Sequence, residues 1–112
     1  MDIKFQVFRK KTLTADVSIS GKTVNVTVFT DNRLDTCGFY PGMDVYQAGE
    51  CIKLRCFPED RKNSDELLKA LGLDYYDPWE IVKKTHGLMY IDYAWFKFEG
   101  ESIEYDNIKI RS

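Results

Sequence analysis

Apolar and polar residues alternate from residue 3 to residue 28, and a period of two is typical of half-buried β-strands. The alternation occurs in three segments, from Ile3 to Phe8, from Leu13 to Ile19 and from Val24 to Val28. The sequence SGKT at residues 20–23 supplies a glycine turn between the second and third segments. The pattern therefore predicts a three-stranded antiparallel meander with one apolar face, which other elements must cover.

The middle of the chain predicts a loop followed by a helix. Residues 30–43 contain a proline and two glycines and favour a loop. From Asp44 onward the apolar residues have helical spacing, at Val45, Ala48, Ile52 and Cys56. Asp44 and Gln47 are placed as a capping pair, and Pro58 follows the segment, so we favour a helix. The alternative is a strand around Ile52, Leu54 and Cys56.

A second helix is predicted to begin at Asn63, with Glu66 placed to reach back to its first turn. Its buried side is a leucine stripe at Leu67, Leu68 and Leu71. Gly72 suits the left-handed residue that ends many helices, and Leu73 would then pack on Leu68.

A third helix is predicted to follow at once. Asp77 is its N-cap, Pro78 stands at the first helical position, where a missing N–H costs nothing, and Glu80 lies in the first turn. Its apolar stripe consists of Pro78, Ile81, Val82 and Thr85.

Aromatic residues dominate residues 90–102, which predict a strand, and residues 102–110 predict a returning strand across the turn at Glu99–Ser102. We therefore expect a single α+β domain over residues 1–112. It would comprise an N-terminal three-stranded antiparallel β-meander, two or three short helices and a C-terminal β-hairpin.

The bulk composition is that of an ordinary globular protein. The chain has 112 residues, of which 44% are hydrophobic and 30% charged, with a net charge of -2. No apolar run is long enough to span a bilayer, and the first residues do not form a signal peptide, so we expect a cytoplasmic protein without membrane contact. The charge balance does not predict direct nucleic-acid binding.

Few residues are candidates for a catalytic, metal-binding or phosphate-binding role. His86 is the single histidine and lies where a helix C-terminus favours positive charge, which explains it structurally; a Cys–His nucleophile pair is the alternative. Cys37, Cys51 and Cys56 form an odd set that we expect to be reduced thiols. The spacing of these cysteines does not match a zinc site, and GKT at residues 21–23 lacks the rest of a phosphate-binding loop. We therefore predict no metal, cofactor or catalytic residue. The basic residues Lys53, Arg55, Arg61 and Lys62 are expected on the solvent face.

Aromatic residues around the third helix and the last strand are candidates for a protein-binding surface, because Trp and Tyr dominate interface hot spots. The alternative is that these rings pack on the sheet. The predicted interface residues are Tyr75, Tyr76, Trp79, Lys83, Tyr90, Tyr93 and Trp95.

The segment FPEDRKNSDELLKALGLDYYDPWEIVKKTHG, at residues 57–87, resembles the amino-terminal subdomain of HipA-type kinases. That subdomain also begins with a small meander, and in some bacterial operons a similar subdomain is a free-standing protein of the HipS type that restrains the kinase. The chain is also similar to small uncharacterised Firmicutes proteins with blocks matched at Arg55–Pro58, Gly72–Pro78 and Thr85–Gly87. Residues 31–43 depart from the kinase subdomain, and the catalytic kinase portion is absent.

The resemblance implies a non-enzymatic accessory or antitoxin-like partner of a HipA-like kinase in a bacterial toxin–antitoxin system. An alternative is an anti-CRISPR-like inhibitor from a phage or mobile element, in which a slightly acidic, Tyr-rich domain blocks the basic channel of a host defence nuclease. Both hypotheses make a protein the partner, and both leave the oligomeric state open.

Overall fold

The computed structural model describes residues 2–32, 34–89 and 93–105. In chain order the elements are β1 (Asp2–Arg9), β2 (Thr12–Ser20), β3 (Thr23–Val28), α1 (Val45–Lys53), α2 (Ser64–Ala70), α3 (Pro78–Thr85) and β4 (Ala94–Phe98). The predicted α+β class and N-terminal meander are confirmed. β4 is the first strand of the predicted hairpin; residues 101–104 have no regular secondary structure, and residues 106–110 lie outside the described residues. No helix within the described ranges is long and apolar enough to cross a bilayer.

The four strands form one antiparallel sheet in the order β3-β2-β1-β4. The alternation places one side chain in two toward the helices, so Phe5 and Val7 of β1 face Phe98 and Phe96 of β4 in register. Phe5 is the centre of an aromatic cluster, with its ring 5.0 Å from that of Phe96 and 5.4 Å from those of Phe39 and Phe98. The core therefore lies between the sheet and the helices.

The segment from Asp44 is helical, as its cap and spacing predict, and the strand alternative is wrong. The Asp44 carboxylate accepts a hydrogen bond from Gln47 N–H at 2.8 Å, and the Gln47 side chain accepts from Asp44 N–H at 2.9 Å. Ala48 and Ile52 are fully buried against the sheet, and α1 also packs against α3.

The outer edge of β4 is covered by groups from other segments. In the register of the sheet, Ala94, Phe96 and Phe98 direct their backbone N–H and C=O groups away from β1. Phe96 N–H donates to the His86 carbonyl at 2.8 Å, and Phe98 N–H donates to Glu101 Oε1 at 2.7 Å. The Ala94 carbonyl accepts from Arg55 Nη2 at 3.1 Å. This edge is therefore closed to a further strand.

Arg55 is a buried residue, and the expectation that it lies on the solvent face is wrong. Its side chain turns inward just after α1, where it is 9% exposed. Besides the Ala94 carbonyl, the guanidinium binds the Gly87 carbonyl through Nε at 2.8 Å. The physical reason is that among the described residues no strand supplies donors to these two carbonyls, and guanidinium provides several donors in one plane.

Gly87 is required by close packing where the chain leaves α3 and meets β4. Its φ angle is +64°, and a Cβ atom built at this position would lie 2.7 Å from the Phe96 ring. The chain leaves α3 through His86, which is also left-handed with φ of 59°. Only glycine therefore lets the chain turn here against Phe96 while its carbonyl faces Arg55.

We predict that Arg55→Met lowers the free energy of unfolding by about 2–4 kcal/mol, because it leaves buried carbonyls without their charged donor. Urea unfolding with an unchanged m value would measure this loss. Arg61→Met, at an exposed position, is the control and should change stability by less than about 0.5 kcal/mol. Equal effects of the two substitutions would show that the hydrogen bonds of Arg55 to the Gly87 and Ala94 carbonyls do not stabilise the fold.

Candidate functional site

The turn between α2 and α3 is fixed at both ends by local hydrogen bonds. Gly72 N–H donates to the Lys69 carbonyl at 3.0 Å, and Leu73 N–H donates to the Leu68 carbonyl at 2.9 Å. This pair is the Schellman ending that Gly72, with φ of +76°, was predicted to provide. At the other end Asp77 Oδ1 accepts from Trp79 N–H at 3.1 Å and caps α3. Residues 74–76 are therefore presented by a turn of defined geometry.

Two adjacent tyrosines in this turn have opposite environments. Tyr76 folds back, and its hydroxyl donates to the Phe57 carbonyl at 2.6 Å while the two rings meet edge to face. Burial raises the pKa of Tyr76, with nearby acidic groups adding to the effect, which keeps the hydroxyl a neutral donor. Tyr75 projects outward and is 68% exposed. The predicted interface thus contains one anchoring tyrosine and one that is free to meet a partner.

Tyr75 stands beside an acidic depression of about 270 Å³. We call this surface the Tyr75 groove, and its lining residues are Gly72, Leu73, Asp74, Tyr75, Asp77, Glu80 and Lys84. A second depression of about 250 Å³ shares Leu73 and Asp74 and adds Asp65 and Lys69. Carboxylates outnumber lysines across both depressions, so the surface around Tyr75 favours a cationic partner.

Two other predicted interface residues lie on α3 near this groove. Trp79 is half-buried and packs against the core, so most of its ring is not offered to a partner. Lys83 is exposed and forms an ion pair with Glu80 at 3.7 Å. α3 therefore contributes charge to the surface, while its indole serves mainly to attach the helix to the core.

The predicted interface residues of the last strand do not join the Tyr75 groove. Trp95 is 1% exposed, stacks on Phe8 and donates from Nε1 to the Lys10 carbonyl at 2.8 Å. The prediction that Trp95 belongs to the interface is wrong, because its ring is buried in the packing beside the β1–β2 turn. Tyr93 is half exposed under the Lys10 ammonium, 4.5 Å from its ring centre. Tyr90 lies outside the described residues.

Several exposed apolar side chains lie outside the set of predicted interface residues. The large hydrophobic residues that are mostly exposed also include Phe29, Leu34, Tyr46 and Leu54. Tyr46 could have been found, since it lies about 200° around α1 from the buried Ala48. The helical spacing does not indicate that Leu54 is exposed, because α1 ends before Leu54 and the next residue, Arg55, is the one that turns inward.

A wider groove of about 580 Å³ crosses the sheet face that the helices leave uncovered. Among its lining residues are the polar side chains Lys4, Gln6, Asp16, Ser18, Asn25, Thr27 and Lys97. Both signs of charge are present in its lining, which also includes Glu99 and Glu101, and the exposed tyrosines named above do not line it. It therefore lacks the exposed aromatic ring that the Tyr75 groove provides.

The residues considered for nucleophilic chemistry have structural partners. His86 Nε2 lies 2.8 Å from Glu101 Oε2, and the same carboxylate accepts Phe98 N–H. Burial raises the pKa of Cys56 to about 12, and its thiol donates to the Ile52 and Pro78 carbonyls. None of the three cysteines, all of which lie in the described part of the chain, forms a disulfide. In the described part of the chain, no group of three or more His, Cys, Asp or Glu residues is arranged to hold a metal ion.

Comparisons of this chain with protein-family models, with curated proteins and with solved structures gave no significant match. The Tyr75 groove is thus defined by its own geometry: a fixed turn, an exposed phenol and a surplus of carboxylates.

Proposed function

We propose that this chain is a non-enzymatic protein-binding module that contacts its partner through the Tyr75 groove. The observation that carries the proposal is the 68% exposure of Tyr75 on a turn whose two ends are fixed by hydrogen bonds. An exposed tyrosine supplies a large amphipathic contact area, and a preformed turn lowers the entropy lost on binding.

The environments of the candidate nucleophiles support a role without catalysis. A thiol whose pKa is raised to about 12 is almost entirely protonated near neutral pH, and the thiolate is the reactive form. The His86 imidazole is held by Glu101, beside the covered edge of β4. Both groups serve packing and hydrogen bonding.

The first partner to test is a HipA-like kinase, which the chain would restrain as an accessory or antitoxin-like protein. The supporting feature is the resemblance over residues 57–87, because this stretch contains α2, the turn that carries Tyr75, and α3. If the resemblance reflects a shared role, the same segment that fixes the groove would contact the kinase.

We predict that the purified chain binds a HipA-like kinase from the same genome and lowers its autophosphorylation. Tyr75→Ala should raise the dissociation constant at least tenfold, about 1.4 kcal/mol, because a central aromatic contact is lost. Isothermal titration calorimetry would measure the binding, and a phosphate-transfer assay would measure the restraint.

Tyr46→Ala is the matched control, since it removes an equally exposed tyrosine from α1. It should change the dissociation constant by less than about twofold. Kinase binding with equal losses for both variants would place the contact elsewhere, and no binding by the wild-type chain would contradict the kinase as partner.

The acidic lining of the groove favours a second candidate function, inhibition of a nuclease by occupation of its basic channel. Asp74→Lys should then weaken inhibition at least tenfold and reduce its salt dependence, because a carboxylate facing the channel becomes a cation. Glu50→Lys, which changes an exposed carboxylate on α1, is the control and should inhibit like the wild-type chain. A nuclease cleavage assay at two salt concentrations measures both, and cleavage that the wild-type chain leaves unaffected would exclude this function.

A further inference from the structure

The two edges of the sheet differ in how their backbone groups are satisfied. At the β4 edge, Arg55, the His86 carbonyl and Glu101 bind the outward groups of the strand. At the other edge, β3 is hydrogen-bonded to β2, and it is the last strand in the sheet order. A strand edge that is left open is a template for pairing with another strand.

The hydrogen-bonding register identifies which groups of β3 face outward. Ser20 and Thr23 flank the two-residue turn, and Phe29 N–H donates to the Thr14 carbonyl at 2.8 Å. The backbone N–H and C=O groups of the odd-numbered residues of β3 are therefore hydrogen-bonded to β2. Those of Val24, Val26 and Val28 point away from β2, at the outer edge of the sheet. No hydrogen bond from the described residues to these outward groups is present.

The composition of β3 lacks the features that natural sheets use to discourage pairing. The strand TVNVTV has no charge and no proline, and three of its six residues are valine. Its solvent-facing side chains, Asn25 and Thr27, are exposed and uncharged. Phe29, just beyond the strand, is 54% exposed.

We propose that β3 pairs antiparallel with β3 of a second copy of this chain, which joins the two sheets into one of eight strands. The two-fold axis passes between the two Val26 residues, so Val24 of each copy faces Val28 of the other. Each of these pairs exchanges two backbone hydrogen bonds. Asn25 faces Thr27 across the axis on the polar surface, where the two side chains are close enough to interact.

Charge complementarity favours a second copy in this register. Lys22 immediately precedes β3. In the proposed register it lies beside the end of β3 of the other copy, shortly before Asp31 of that copy. Both residues are exposed, and the two-fold axis repeats the contact at the other end. In this register Lys22 lies opposite Thr30 of the second copy, one residue before Asp31, so a cation and a carboxylate are neighbours at both ends of the pairing, and the strand between them brings no like charges together.

Sedimentation velocity of the full chain from about 1 µM to 1 mM should show a reversible monomer–dimer equilibrium. Two double variants test the register. Asn25→Lys/Thr27→Lys places lysine opposite lysine and should raise the dimer dissociation constant at least tenfold. Asn25→Glu/Thr27→Lys has the same number of substitutions and places glutamate opposite lysine, so its dimer should be as stable as the wild type or more stable. Both variants carry Thr27→Lys, which lies beside Asp16 of β2, so this substitution affects the fold alike in the two.

Carbodiimide cross-linking of a mixture of unlabelled and ¹⁵N-labelled chains gives an independent readout. The proposal predicts a heavy–light peptide pair that joins Lys22 to Asp31. A chain that stays monomeric to 1 mM, or two double variants with equally weakened dimers, would overturn the proposal. A dimer whose cross-links avoid both residues would overturn it as well, since the copies would then meet elsewhere.

Discussion

The hydrogen bonds that cover the outer edge of β4 hold the helices and the sheet together. Arg55 reaches this edge from the end of α1, His86 from the end of α3 and Glu101 from the segment after β4. Arg55 is 39 residues from its partner Ala94, whereas Glu101 follows its partner Phe98 by three residues, so both distant and local segments are attached to one strand through buried or half-buried hydrogen bonds. Each of these groups is hydrogen-bonded to a backbone atom that water cannot easily reach. Removing such a group therefore lowers the stability of the fold by more than the loss of one contact.

These hydrogen bonds also fix the surface where a partner would bind. α3 is held to β4 at its C-terminal end through His86, and at its N-terminal end Asp77 caps it beside the Tyr75 turn. The anchored Tyr76 and the half-buried Trp79 join the turn to the body of the protein, so Tyr75 projects from a rigid base. At the opposite edge, the sheet has no comparable cover among the described residues, and the outward backbone of β3 is available to a strand.

Local signals predicted much of the fold. Alternation located β1, β2 and β3, and the caps at Asp44 and Asp77 and the ending at Gly72 located the helices, because these interactions lie within a few residues of one another. Arg55 could not be located in this way, since its partners lie 32 and 39 residues further along the chain. The candidate site was predicted only in part: aromatic content indicated an interface, but only the tertiary structure separates exposed Tyr75 from buried Trp95.

Residue-resolved amide hydrogen exchange in a dilute sample tests the contrast between the two edges most directly. Phe96 and Val26 both direct their N–H groups away from the sheet, but only the Phe96 amide has a partner among the described residues. We predict that the Phe96 amide exchanges at least about a thousandfold more slowly than the Val26 amide, since opening must first break the contact with His86. Equal exchange rates for the two amides would contradict this prediction.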